Sequence, residues 1–497
     1  MAGSGLPSEK FRWVKPDDAS TRSTESIPGR RWRWVGLVLA VVVVAASGVV
    51  ALRWWIMRGA QDTAGGQQPA VEAPIGTPKG RLIGFALDRQ PVPAWQLSQA
   101  DIGLPPQVRV GNMFAALGDT AYFVAGTGCA GDVCVGPKGW VYGLDIRTGK
   151  KVLGPIELND FWGSSSDDCY SNGPSVAVCV TPECDVIGCD GLKELAWVID
   201  LNRGEITYTG PPGVHAGASA HPELPYLRMI GSSGGETRLV GAVEGKGVYG
   251  VGSRLEPTWF LPGSGDVPQA DSGVVNDAAP VTLAVQMPDR SIGQGLRVFS
   301  ADGKDLTPTP PEGLEVGSNV QIYPGGFAVE YQKDARLGGV SLFDTEGNEV
   351  VHLPEARFLK PSSAMPIMQS GEQTLVYSAA GKQQISAIAG DSYRSIGTTL
   401  YANVGPRRWQ SMDLLTGQRG PVCTLDLDLD YVGSDGSTLV WHDMDNKVYT
   451  AVDPATCRTR WEIQDHWVTA AQTRLTKAST GLVQVTTDVI TGLRAPD

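Results

Sequence analysis

The sequence predicts an all-β chain that shuts on itself as a ring of four-stranded sheets. Three observations carry that expectation. A strand–turn–strand unit recurs along most of the 497 residues, turn formers are abundant with 62 Gly and 34 Pro, and the series begins and ends with partial units. The clearest copy is Trp140–Leu153, WVYGLDIRTGKKVL. Trp140, Tyr142 and Leu144 fall on one side of a strand, Val141 and Gly143 on the other, which is the period-2 pattern of β structure. Asp145 is placed to bind the backbone of the following turn, and Gly149 supplies a residue able to take positive φ.

Comparable units end at Asp88, Asp145, Asp200, Gly252, Ser300, Asp344, Asp413 and Asp453, at intervals of 57, 55, 52, 48, 44, 69 and 40 residues. These intervals suit one four-stranded blade plus variable loops, except the 69-residue gap, which has room for an insertion or a degenerate extra blade. After Asp453, Trp461–Ile463, Ala470–Leu475 and Leu482–Val489 each read as a strand, and no fourth follows. Leu82–Asp88 reads as a last strand that lacks its first three. Letting it complete the C-terminal sheet shuts the ring and covers the open edges. The fold expected is an eight-bladed β-propeller over residues 81–497, closed by its N-terminal strand. It has seven blades if the weak Ser300 unit is spurious.

Residues 1–33 are polar and read as a disordered cytoplasmic tail. Residues 34–57 contain Val35–Leu52, eighteen uncharged and mainly apolar residues flanked by Trp32, Trp34, Trp54 and Trp55. A helix of about 20 residues spans a hydrocarbon core of ~30 Å, and tryptophans mark its interfaces. Arg30, Arg31 and Arg33 outweigh Arg53 and Arg58, so the expected topology is single-pass in the plasma membrane with the amino end inside. Residues 58–80 form a Gly/Ala/Gln/Pro spacer with no periodicity, expected as a flexible linker. Residues 1–58 carry a formal +5 and the remainder −17, a balance that argues against nucleic acid as a partner.

All eight cysteines (Cys129, Cys134, Cys169, Cys179, Cys184, Cys189, Cys423, Cys457) follow the apolar segment, as expected of disulfides in an oxidising compartment. Cys423 reads as opening a blade's first strand and Cys457 as following that blade's last, so a Cys423–Cys457 bridge is expected. Cys129–Cys134 comes next, within a hairpin of the first blade. The pairing among Cys169, Cys179, Cys184 and Cys189 is open. They brace the long stretches Phe161–Tyr170 and Thr181–Leu192, which are the expected partner-binding loops.

Tyr449–Trp461 (YTAVDPATCRTRW) resembles the pyrroloquinoline-quinone-type (PQQ-like) propeller repeat, with Cys457 where that repeat places Gly; Trp140–Lys151 and Arg407–Gly417 match it less completely. That resemblance implies a propeller and two classes of function, quinone-dependent dehydrogenases and non-catalytic envelope scaffolds. The dehydrogenases carry a disulfide between adjacent cysteines against the cofactor and hold calcium through Glu and Asn. No Cys-Cys dipeptide exists here, and no stretch maps onto the calcium set. The chain is therefore expected to be non-enzymatic and cofactor-free, with a quinone oxidoreductase or a transmembrane sensor as the alternatives.

Other chemistry is sparse. His215, His221, His352, His442 and His466 are dispersed, without H-E-x-x-H spacing. Asp426, Asp428 and Asp430 alternate with leucines, which in a strand aligns three carboxylates as a weak calcium candidate. Same-face neighbours lie ~7 Å apart, however, and a solvated strand face accounts for the pattern. The function expected is a membrane-anchored, extracytoplasmic scaffold that binds another envelope protein or polymer.

Overall fold

Each repeat is built around its turn. Asp145 Oδ1 accepts the N–H groups of Arg147 and Thr148 and the Thr148 hydroxyl, while Gly149 N–H donates to the Asp145 carbonyl. Asp413 holds Leu415 and Thr416 in the same way. The fourth residue after the aspartate is left-handed: φ is 70° at Gly149, 69° at Gly204 and 71° at Gly417. Only glycine takes that conformation without strain.

The computed structural model describes residues 76–497 except 128–136, 164–167, 182–193, 217–222, 232–236, 269–280, 290–294, 335, 360–364, 379–383, 429–430 and 466–472. The tail, the apolar segment and most of the spacer fall outside the described residues, so the expected spanning helix does too. Among the described residues no helix is long and apolar enough to cross a membrane.

Among the described residues eight four-stranded antiparallel sheets are present, matching the eight blades expected, and a ninth, two-stranded sheet lies in chain order between the third and fourth of them. Sheet 1 comprises Asn112–Leu117, Thr120–Gly126, Lys138–Asp145 and Lys151–Asn159, and sheet 2 comprises Cys169–Ser171, Val176–Thr181, Leu195–Asp200 and Glu205–Gly210. Sheet 3 is Tyr226–Gly231, Thr237–Val243, Gly247–Val251 and Pro257–Pro262; sheet 5 is Glu315–Tyr323, Gly326–Lys333, Arg336–Asp344 and Glu349–Leu353. Sheet 6 is Ala356–Phe358, Ile367–Ser370, Gln373–Tyr377 and Gln384–Ala387, and sheet 7 is Tyr393–Ile396, Thr399–Gly405, Arg408–Asp413 and Arg419–Thr424. Sheet 8 is Tyr431–Ser434, Leu439–Asp443, Val448–Asp453 and Arg458–Gln464. Sheet 9 gathers Arg474–Ala478, Gly481–Val485 and Val489–Arg494 with the N-terminal strand Val92–Ser98.

Sheet 4 is the exception, with only Leu283–Gln286 and Arg297–Ser300 among the described residues. The weak Ser300 unit is thus a real strand, which disposes of the sevenfold ring. Leu306 N–H still reaches the Val298 carbonyl as the start of an outer strand, but Pro308, Pro310 and Pro311 follow and cannot donate to a ladder. Sheet 6 fills the 69-residue gap and carries no aspartate marker. The described core comprises nine apolar clusters, each between two successive sheets, with the last between sheets 9 and 1. Sheet 4 therefore makes the ring nine members round.

Closure by the N-terminal end is observed, with a corrected segment. Val92–Ser98 pairs antiparallel with Val489–Arg494, Ser98 opposite Val489 and Val92 opposite Arg494. Leu82–Asp88, expected to be that strand, is irregular and runs as a strap across the turns between first and second strands. Thr77 N–H donates to Gly397 O, Ile83 N–H to Ser434 O and Gly84 N–H to Thr480 O. Leu82, Ile83 and Leu87 are buried in the grooves of sheets 7–8 and 8–9. The alternating pattern of this segment serves those grooves rather than a ladder, because its amides bond successive turns of different sheets.

Adjacent sheets are joined by one recurring contact. An outer-strand side chain of one sheet seats on the left-handed turn residue of the next. Trp95 covers Gly149, where an added Cβ would lie 2.6 Å from the indole, and its Nε1–H donates to Ile146 O at 2.9 Å. Trp259 covers Gly303 the same way, at 2.5 Å. Leu153 faces Gly204, and Leu306 faces Gly347. Trp461 Nε1–H donates to Leu87 O at 2.7 Å, so the strap supplies the acceptor between sheets 8 and 9.

Candidate binding site

A cleft of about 610 Å³ lies where sheets 2 to 5 meet. Its inner wall is Asn172, from the first turn of sheet 2, with Arg238 and Leu239 at the start of sheet 3's second strand. Val251 and Trp259 of sheet 3 form the side, Thr282, Leu283, Ser300 and Ala301 the floor. Asp302, Lys304, Thr345 and Glu346, from the turns of sheets 4 and 5, make the outer rim.

The ring that builds these walls also fixes their side chains. Asn172 Oδ1 accepts the Leu239 N–H at 3.2 Å, and the Asn172 amide donors have no partner among the described residues. Lys304 Nζ bonds Glu346 Oε2 at 2.9 Å across the joint, and Asp302 accepts the Ser300 hydroxyl. Trp259 stands between the Gly303 backbone and the edge of Phe299, with ring centroids 6.3 Å apart. Two positive and two negative side chains line the cleft, so it carries no formal net charge. Such an arrangement can hydrogen-bond a small polar ligand without selecting a strong ion.

None of the sequence's site candidates lies in this cleft. Cys423 and Cys457 are bridged, with Cα atoms 5.2 Å apart, but their placement corrects the expectation. Cys423 belongs to the last strand of sheet 7 and Cys457 to the turn between the third and fourth strands of sheet 8, so the bridge joins two sheets. Cys169 and Cys179 sit directly opposite each other in the first two strands of sheet 2 and are bridged. The stretch Phe161–Tyr170 therefore ends inside a strand. Cys129, Cys134, Cys184 and Cys189 lie outside the described residues.

Asp426 and Asp428 follow the last strand of sheet 7 rather than lying in a strand, and Asp430 is outside the described residues. Leu425 and Leu427 point into the core as the alternation requires. Asp426 Oδ1 accepts the Asp428 N–H, and Asp428 Oδ2 accepts the Ser392 hydroxyl. Burial, with the Asp426 charge beside it, raises the Asp428 carboxyl above its ordinary range against the pull of Ser392. These contacts occupy the pair in holding a loop. Among the described residues no three His, Cys, Asp or Glu side chains are gathered to hold a metal ion.

The histidines are structural partners. His442 pairs with the nearly buried Asp465 at 3.1 Å and stacks on Tyr449, His352 bonds the buried Ser341, and His215 bonds Glu194. His221 and His466 lie outside the described residues. The residues lining the cleft carry no shared motif, because they converge from four sheets.

The model of the conjugation-associated nine-bladed β-propeller domain matches residues 67–496. The chain belongs to that family. A protein of Mycolicibacterium smegmatis (strain MKD8), named only as uncharacterised, is 28% identical over 433 residues, covering 78% of this chain and 82% of that one. Among solved structures, BamB from Moraxella catarrhalis aligns over 82% of this chain and 100% of its own, at 10% identity and a TM-score of 0.36. The computationally designed Ika8 protein aligns over 78% and 98%, at 11% identity and a TM-score of 0.34.

Proposed function

We propose that this chain is a non-enzymatic binding scaffold of the bacterial cell envelope. It is held to the plasma membrane by the apolar segment 34–57, with the propeller outside, and serves a conjugation-associated assembly. The observation that carries this reading is the family match over residues 67–496, on a ring whose nine joints are all packed. A closed ring is a rigid frame, and rigid frames present loops for binding. The charge asymmetry and the cysteine distribution support an extracytoplasmic propeller.

The test is crosslinking in intact donor cells, comparing wild type with a chain in which residues 182–193 are replaced by a short Gly/Ser bridge. That replacement keeps all four strands of sheet 2, whereas removing 161–192 would delete two. Loss of a specific crosslinked partner together with reduced DNA transfer is the expected result. Unchanged crosslinks and unchanged transfer would overturn the assignment of that loop. Dye reduction by the protein supplied with quinone and calcium would overturn the non-enzymatic reading.

A further inference from the structure

We propose that the innermost strands of the ring form a cationic bore that takes up a short acidic segment of a partner protein. The inference rests on the scaffold reading and names the chemistry of what is bound. The first strand of each sheet lies nearest the ring axis. Asn112–Leu117 touches Cys169–Ser171, and Tyr431–Ser434 touches Arg474–Ala478, so first strands of successive sheets meet directly. Their charge sets them apart. Among the described residues they carry Arg228, Arg357, Arg394, Arg474 and Lys477 against Glu315 alone. All the other described strands together are formally neutral, while residues 59–497 as a whole carry −17. A domain acidic overall thus places its strand-borne positive charge at its centre, and its connections hold the negative charge.

The spacing of these charges suits an extended peptide. Arg394 stands two residues before the pair that closes its turn, Ile396 opposite Thr399, and Arg474 four before Ala478 opposite Gly481. Even offsets put both side chains on the same face of their sheets, with levels ~7 Å apart. Same-side carboxylates of an extended acidic peptide recur at that same ~7 Å spacing. Arg357 directs Nε and Nη2 at Gln369 Oε1, Arg228 lies 4.3 Å over the Tyr226 ring, and Arg394 lies 4.6 Å over that of Tyr431. Arg357 and Arg474 are exposed and enter no ion pair among the described residues. Acids close to these strands are engaged: Glu330 accepts the Asn319 amide and the Phe358 N–H, and Asp428 accepts the Ser392 hydroxyl. A guanidinium matches a carboxylate fork to fork, and a recess lined by one sign of charge focuses its field on the opposite sign. A long polyanion such as a nucleic acid would meet acidic connections where it left the bore, whereas a short segment ends inside it.

The experiment uses the full-length protein with fluorescein-labelled hexaglutamate as the probe, read by anisotropy and calorimetry. Hexalysine is the opposite-charge control and a long oligothymidylate the polyanion control. Hexaglutamate is expected to bind, more weakly as salt is added, and hexalysine is not. Arg357→Gln combined with Arg474→Gln should weaken that binding at least tenfold with unchanged melting. Arg203→Gln combined with Arg254→Gln removes two exposed charges from outer turns and should leave it unchanged. If the inner double variant melts lower, Arg474→Gln alone decides. No hexaglutamate binding, an equal loss from the outer double variant, or oligothymidylate binding that is as tight and equally lost in the inner variant overturns the proposal. Crosslinks lost on replacing 182–193 without any hexaglutamate binding would strike the bore alone and leave the scaffold reading standing.

Discussion

Cys423 and Cys457 meet across the joint of sheets 7 and 8 in the way that Trp259 meets Gly303 across the joint of sheets 3 and 4. In both, an outer-strand side chain seats on the residue four (or, for Gly303, three) positions into the next sheet's turn. A Cβ at that residue would collide with tryptophan, so the half-cystine at 457 goes with a small partner at 423. Cys457 has φ +57°, the left-handed conformation its turn demands of glycine elsewhere.

Removing the bridge should separate two energies. Cys457→Ala loses the crosslink, worth about 2–4 kcal/mol, and keeps the left-handed strain. Cys457→Gly loses the same crosslink but relieves roughly 1 kcal/mol of backbone strain. Thermal melts should therefore rank wild type above Cys457→Gly and Cys457→Ala lowest. An inverted order of the two variants would refute the turn argument.

At the 9–1 joint the turn glycine should matter more than the indole hydrogen bond. Gly149→Ala forces a Cβ to within 2.6 Å of Trp95 at φ +70° and should cost more than about 2 kcal/mol. Trp95→Phe forfeits the bond to Ile146 O, worth about 1 kcal/mol. Denaturant midpoints of the two variants give the comparison.

The strap should be part of the folding unit. Leu87→Ala removes a fully buried side chain between sheets 8 and 9 and should cost about 2–4 kcal/mol. Hydrogen exchange should speed up first in Arg474–Ala478 and Arg458–Gln464, the flanking strands. Protection lost equally around the ring would instead indicate purely global destabilisation.

Acid should loosen the turns in a predictable direction. The Thr416 N–H, then its hydroxyl, holds the Asp413 carboxyl below its ordinary range; at Asp145 and Asp344 burial opposes the shift, but bonds from Thr148 and Asn348 outweigh it. A depressed folded value contributes stability that is complete above the unfolded value of 3.8 and is lost as pH falls through the folded one. Melting temperature should thus fall below pH ~4, and Asp413→Asn should flatten that fall slightly.

Alkali works through Tyr331, whose hydroxyl is pushed up to about 12 by burial and then by the Glu349 charge. Because the folded value is raised, the stability it lends is complete below pH 10 and is lost as pH rises towards 12. Absorbance of tyrosinate at rising pH should show a late-titrating group that Tyr331→Phe removes.

How far the residues announced this architecture varied with the kind of signal. Turn aspartates and their glycines are local, so Asp145, Asp200, Asp413 and Asp453 could be found by pattern alone. Sheet 6 escaped because its third strand ends at Tyr377 and is followed by Ser378, with no Asp at that turn. Leu82–Asp88 has the alternation of a strand, and it is a strap because the carbonyls that accept its Ile83 and Gly84 amides, those of Ser434 and Thr480, lie on different sheets. The cleft was invisible for a related reason: Asn172, Trp259 and Glu346 are far apart in sequence and carry no shared motif. Cys457 in a glycine position was legible, but its partner's place on a neighbouring sheet depended on the true blade boundaries.

The strap has a practical corollary for anyone preparing this protein. A chain trimmed to its first strand, beginning near Val92, would keep the ladder to Val489–Arg494 yet bare two greasy furrows and orphan the Trp461 indole. Such a preparation should clump, and its behaviour would say little about the native molecule. Expression should begin ahead of Gly76.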